Sequence, residues 1–341
     1  MIDLLMEYGL FLAKVATLVV AIAVLMVMGV SVSRRARSVD KLEVKDLNEK
    51  YRGMKRIMRA VVLPKKTFKK ALKEDKARLK AVHKTRAMEP CKRLFVVDFH
   101  GDIKATGVAS LREEITAILS LAEPRDEVLV RLENAGGLVH EHGLAASQLQ
   151  RIKRKGIPLT IAVDKVAASG GYMMACVGNR IIAAPFAVLG SIGVLAQIPN
   201  FHRLLDQHGV DFELIKAGEF KRTLTMFGVN TDEDRKRLKE QIEDTHTLFK
   251  DFVAEHRAQL DMARVASGEH WYGRRAQELN LIDEIMTSDD YLLEASQHAD
   301  IYQVRYTAGK RLSEKLVSVV RHALGRAGTS WRGVQERSPL L

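Results

Sequence analysis

The chain has 341 residues, 47% of them hydrophobic, and a formal net charge of +12, enough apolar material for one sizeable core with segments left outside it. Its two cysteines, Cys91 and Cys176, give no spacing for a disulfide framework or a cysteine metal cluster. The positive charge is local, with 22 Lys and Arg against 7 Asp and Glu over positions 34–93. The remainder is slightly acidic and no aromatic-rich surface accompanies the basic stretch, so nucleic acid is not an expected partner.

In chain order, the first feature is Val15 to Ser33, 19 residues without a formal charge, long enough to cross a hydrocarbon core as a helix. Ser31-Val32-Ser33 has the small-x-small pattern of a cleavage site, but Asp3 and Glu7 stand where a signal peptide carries basic residues, so a retained single-pass anchor over residues 1–33 is expected. Arg34, Arg35, Arg37 and Lys41 follow at once, and a basic segment directly after an apolar one is attracted to anionic lipid headgroups. The same charges hold the rest of the chain on the cytoplasmic side by the positive-inside rule.

Residues 34–93 form a basic helical linker, with a thin apolar stripe (Leu42, Leu47, Tyr51, Met54, Met58, Val61, Val62) interrupted at Pro64. From Arg93 short β-branched runs alternate with helical stretches, the pattern of βα units around a buried sheet. Strands are expected at Leu94 to Phe99, Val128 to Leu132, Ile157 to Val163, Arg180 to Ala184 and Phe212 to Ala217. Helices are expected at Val139 to Lys155, Ala168 to Val177 and Asp232 to His256. The uncharged run Ile181 to Ile198 is interrupted by Pro185, Gly190 and Gly193, which marks it as buried strands with a turn rather than a second membrane span.

Three short segments suit chemistry. Ala168-Ser169-Gly170-Gly171-Tyr172 puts a serine between small residues, after a strand and at a helix start, where unsatisfied backbone N–H groups face whatever the hydroxyl attacks. An N-cap serine followed by glycines looks the same. Asn134-Ala135-Gly136-Gly137 ends a strand, and its glycines let the backbone turn an N–H inward, although an ordinary strand-to-helix turn has the same composition. Lys221 follows Ala217-Gly218-Glu219-Phe220. A serine needs a base, and His100, His140, His142, His202 and His208 all stand in contexts of exposed or capping histidines.

Together the three segments resemble the SppA/SohB signal-peptide-peptidase family, and the anchor with its basic linker is most similar to the SohB branch. Trp271-Tyr272-Gly273 through Leu281-Ile282-Asp283 resembles that family's closing motif. The resemblance covers about residues 94–290 and implies an α/β, ClpP/crotonase-like peptidase domain over that range, with a basic C-terminal tail over 291–341. It implies Ser169 as nucleophile, Lys221 as general base, and the N–H groups of Gly137 and Gly170 as oxyanion donors. Proline is common where this chain has Ala135, and the exchange makes the turn less rigid; Arg222 replaces a small residue after the lysine.

The same resemblance implies a membrane-bound serine endopeptidase of the inner membrane, assembled as a homo-oligomer and needing no metal or organic cofactor. Its substrates would be extended, small or apolar peptides such as signal-peptide remnants or membrane-protein fragments. The family's usual description on the outer face conflicts with the charge bias of the linker. A crotonase-like acyl-CoA enzyme and a non-catalytic membrane scaffold are the competing readings.

Overall fold

The protein is described by a computed structural model covering residues 8–20, 41–86, 91–218, 221 and 224–308. The chain divides into one unit of Met1–Leu42 with Tyr306–Leu341 and another of Glu43–Arg305. In the first, residues 8–20 are helical. Among the described residues no helix is long and apolar enough to cross a membrane. Most of the anchor expected over Val15 to Ser33 lies outside the described residues, as does the tail beyond 308.

In chain order the elements are β1 (Lys41–Asp46), α1 (Leu47–Val62), α2 (Lys65–Arg86), β2 (Arg93–His100), α3 (Val108–Leu119), β3 (Glu127–Glu133), α4 (Val139–Arg154) and β4 (Leu159–Val163). Then come β5 (Val166–Ala168), α5 (Gly170–Ala175), β6 (Arg180–Ala183), β7 (Val188–Gly190), α6 (His202–Gln207), α7 (Asp232–His256), α8 (Met262–Val265), β8 (His270–Tyr272), α9 (Gly273–Glu278), β9 (Glu284–Ile285), α10 (Ser288–Ala295) and β10 (Asp300–Thr307).

The main sheet runs β1-β10-β2-β3-β4-β6-β9, and β5-β7-β8 form a second sheet. From β10 to β9 the pairs are parallel, with registers such as Val96↔Leu129 and Ile161↔Ile181. Parallel strands need helical crossovers that cover both faces, and the alternation of side chains sorts the core accordingly. Phe95, Val97, Phe99, Val128, Val130, Leu132, Ile161 and Val163 pack with α3, α4 and α5. Their neighbours Leu94, Val96, Leu129, Ala162, Ile182 and Ile301 pack with Leu292 and Ala295 of α10. The run from Ile181 therefore enters the core as β6 and β7, the buried reading of that segment.

The structure departs from the sequence reading in several places, the first being Lys41–Asp46, a strand at the start of the linker expected to be helical over 34–93. The sheet continues past residue 290, because β10 pairs with β2 (Ile301↔Leu94). The start of the linker is fastened to it: Asn48 donates to the Ala299 and Ser296 carbonyls at 3.0 and 3.2 Å and accepts from the Ile301 N–H at 2.7 Å. Phe212 to Ala217 is not a strand. Apolar residues make a strand only beside a partner edge, and here the segment is exposed irregular chain, with Ile215 93% accessible.

Candidate active site

Asn134 follows β3 and joins it to the second sheet. It forms an isolated parallel bridge with Ala167: its N–H donates to the Val166 carbonyl (2.9 Å) and its carbonyl accepts from the Ala168 N–H (3.0 Å). The next residue, Ser169, gives its N–H to Gly190 of β7 at 2.8 Å. The chain must pass from this pairing straight into α5, and it does so with Ser169 at φ 52°, ψ −120°. A non-glycine residue in that region is strained and persists only where its surroundings dictate it; strand-to-helix turns of this kind lift a serine hydroxyl clear of the backbone.

The glycine turn lies against this serine. A Cβ on Gly136 would stand 2.8 Å from both Ser169 Cβ and the Gly170 nitrogen. Gly136 has φ 92°, a conformation glycine adopts without cost. Its N–H is tied down, donating to Asn134 Oδ1 at 2.9 Å. By contrast, among the described residues the N–H groups of Gly137 and Gly170 and the Ser169 hydroxyl have no protein partner. Unpaired donors beside a hydroxyl are the equipment for holding a developing oxyanion.

Gly171 allows the close approach of α5 to the turn, since a Cβ there would lie 2.0 Å from the Asn134 carbonyl oxygen. That oxygen is backbone and cannot swing away. Gly171→Ala is therefore expected to destabilise the chain by about 2–4 kcal/mol, read as a lowered midpoint in urea unfolding.

The closing motif packs behind α5, the helix that Ser169 begins. Tyr172 is fully buried and donates to the Leu281 carbonyl at 2.9 Å; burial pushes its phenol far above its ordinary value. A Cβ on Gly190 would touch the Trp271 ring at 2.7 Å. Asp283 accepts from the Ile181 N–H and from the guanidinium of Arg257, which is only 3% accessible. Burial also pushes the Cys176 thiol up, so it is an inert core residue.

The structure thus packs the glycine turn, through Gly136, against Ser169 and Gly170, with Gly137 next in the chain. It does not bring Lys221 to them: among the described residues no hydrogen bond or ion pair links Lys221 to Ser169, Gly137 or Gly170, and Lys221 is exposed. It sits in an arm closed by its own contacts. Asn200 Nδ2 donates to the Thr225 and Gly228 carbonyls, both at 3.1 Å, and Phe227 packs against Phe201 and Phe212 with ring centres 6.0 and 5.7 Å apart. Within it Gly218, at φ 92°, accepts from the Lys221 N–H at 3.3 Å. Arg222 lies outside the described residues.

One histidine departs from its expected context. His140 is exposed, but His142 is fully buried, with Nδ1 2.9 Å from the Leu138 carbonyl oxygen and Nε2 3.2 Å from Asn134 Oδ1. The available signal was its place in α4, three positions before buried Ala145 and seven before Leu149, on the core face. Among the described residues no group of three or more His, Cys, Asp or Glu side chains is placed to hold a metal ion.

The model of the peptidase family S49 N-terminal region matches residues 3–149, and that of peptidase family S49 matches residues 151–302. The chain is 48% identical over 326 residues to a probable protease SohB of Haemophilus influenzae, covering 92% of each. It is 44% identical to a probable protease SohB of Buchnera aphidicola subsp. Acyrthosiphon pisum, covering 94% of this chain and 96% of the relative. A lysine-to-alanine variant of the 1510-N membrane-bound stomatin-specific protease, solved with a substrate peptide, aligns with TM-score 0.43 and 15% identity over 68% of this chain and 98% of its own. Two matching family models and full-length relatives above 40% identity place the chain in peptidase family S49, in its SppA/SohB group and nearest to SohB.

Proposed function

We propose that the chain is a serine endopeptidase in which Ser169 is the nucleophile, Lys221 the general base, and the Gly137 and Gly170 N–H groups the oxyanion donors. The observation that carries this is the strained Ser169, its hydroxyl unengaged among the described residues, packed against Gly136 of the glycine turn, with unpaired N–H groups on the residue after each, Gly137 and Gly170. A crotonase-like acyl-CoA enzyme has no use for a nucleophilic serine in that strained position.

Ser169 Oγ attacks the peptide carbonyl carbon as its proton passes to neutral Lys221 Nζ, and the carbonyl oxygen takes up charge between the two N–H groups. The C–N bond then breaks as the lysine returns the proton to the leaving amine. Water attacks the acyl-enzyme, gives a proton to Lys221, and Ser169 leaves with it. A lysine accepts a proton only when neutral, which in water requires a pH near 10 and at neutral pH requires burial.

That burial is supplied in this reading by a second copy of the chain. The segment bearing Lys221 exposes Leu195, Leu204, Val210, Ile215 and Val229, each at least half accessible, more exposed apolar side chains than a free surface segment usually carries, which suits an interaction face. Exposed Leu138 and Val139 beside Gly137 suit small or apolar side chains of an extended peptide, such as a signal-peptide remnant or a membrane-protein fragment. The uncharged run Val15 to Ser33 anchors the enzyme as a single pass in the inner membrane, and the basic linker rests on its lipids.

A fluorophosphonate probe tests the reading. It is expected to label the purified wild-type chain and not Ser169→Ala. Equal labelling of both, or of neither, refutes the assignment and leaves a scaffold or an acyl-CoA enzyme.

A further inference from the structure

The buried imidazole of His142 touches both halves of the site. On one side it underlies the start of α5: a Cβ on Gly170 would lie 2.5 Å from His142 Cγ. On the other, Nε2 lies 3.2 Å from Asn134 Oδ1, the oxygen that receives the Gly136 N–H at 2.9 Å. That N–H fixes which end of the Asn134 amide is oxygen, because a backbone N–H must face an acceptor. The Asn134 Nδ2 faces the Met174 sulfur at 3.3 Å, a weak acceptor that does little to hold the amide.

We propose that His142 is a positioning residue that, through Asn134, sets the glycine turn so that the Gly137 N–H points at the oxyanion. This rests on Ser169 and Gly137 having the roles proposed for them. Both ring nitrogens face acceptors, Nδ1 the Leu138 carbonyl at 2.9 Å and Nε2 the Asn134 Oδ1 at 3.2 Å, and a neutral ring donates to one of them; in this proposal the N–H is on Nε2, which then holds Oδ1 where Gly136 can reach it. With Gly136 pinned, the next peptide plane is fixed and its N–H is left free for the substrate oxygen. The glycine-rich turn contains Ala135 rather than a stiffer residue, and among the described residues its side-chain hydrogen bonds run through Asn134. Among the described residues His142 makes no hydrogen bond to Ser169, and in this proposal it acts only through Asn134.

The test compares His142→Ala, Asn134→Ala, the double variant and His142→Gln, which keeps an N–H donor, in the full-length purified chain. His142→Ala is expected to lower kcat for a fluorogenic peptide about tenfold, part of the effect of deleting an oxyanion donor, with KM within about twofold. In the same variant the Gly136 amide, followed by hydrogen exchange over residues 133–138, should exchange at least about tenfold faster. The double variant should lose no more than Asn134→Ala alone, and His142→Gln should recover most of kcat and of the protection.

Unchanged kcat or unchanged exchange in His142→Ala overturns the proposal, as does a multiplicative loss in the double variant. Should His142→Ala fail to fold, His142→Gln decides: loss of kcat and protection at a native unfolding midpoint overturns the proposal, and their retention supports it. If wild type itself neither cleaves peptide nor labels at Ser169, the peptidase reading fails, while the exchange comparison still decides whether His142 holds the turn.

Discussion

Ser169→Ala is expected to lower peptide hydrolysis at least about 10⁴-fold, some 5.5 kcal/mol of transition-state stabilisation, with thermal unfolding unchanged or slightly raised. The loss is large because the substitution removes the only atom that can form the acyl-enzyme. The two N–H donors remain, so a trace of activity over water is the most that can persist. Stability should not suffer, because among the described residues the hydroxyl has no protein partner and alanine removes only that group. Relief of backbone strain is not expected either, since alanine meets the same restriction at φ 52° as serine does. Peptide hydrolysis and circular dichroism on the same preparation check both halves. Retained activity in a folded variant would remove Ser169 from the chemistry.

Much of this site is legible in the sequence, and the boundary of what is legible has physical causes. Strands β2, β3, β4 and β6 announce themselves because central parallel strands are buried on both faces and so read as mostly apolar runs, broken only singly, as by Asp98 in β2 and Arg131 in β3. Ser169 and the glycine turn are visible because tight turns leave few residue types to choose from. Strand β10 escapes because Asp300–Thr307 mixes polar and apolar residues, and only its long-range pairing with β2 makes it part of the sheet. The segment Phe212 to Ala217 misleads in the opposite sense: its composition suits a strand, but it pairs with no strand among the described residues and rests instead on the Phe212–Phe227 ring contact. His142 reads as polar helix surface because His140, Glu141 and Gly143 surround it. Its burial depends on Gly170, which is 28 positions further on and has no side chain to keep the ring out.

Lys221→Ala and Lys221→Arg are both expected to reduce hydrolysis at least about 10³-fold, and specific activity of the wild type to fall on dilution in step with loss of the assembled form. The arginine variant is the informative one. It keeps the positive charge and most of the length, so a lysine that served only to bind a carboxylate or a lipid would be replaced with modest loss. Guanidinium does not give up its proton in proteins, so a general base cannot be replaced this way. The dilution effect follows from where the lysine stands. In the single chain Lys221 is exposed on an arm whose apolar residues are also exposed, and an amine in water keeps its proton at neutral pH. Covering that arm with a second copy removes the apolar surface from water and, by the same contact, withdraws the amine from solvent so that its neutral form is favoured. In the proposed reading, assembly and activation of the base are one event. Light scattering and peptide hydrolysis over a concentration series separate the alternatives: activity that stays constant while the assembly dissociates would mean the base is made within one chain, and a competent Lys221→Arg enzyme would mean it is not the base at all.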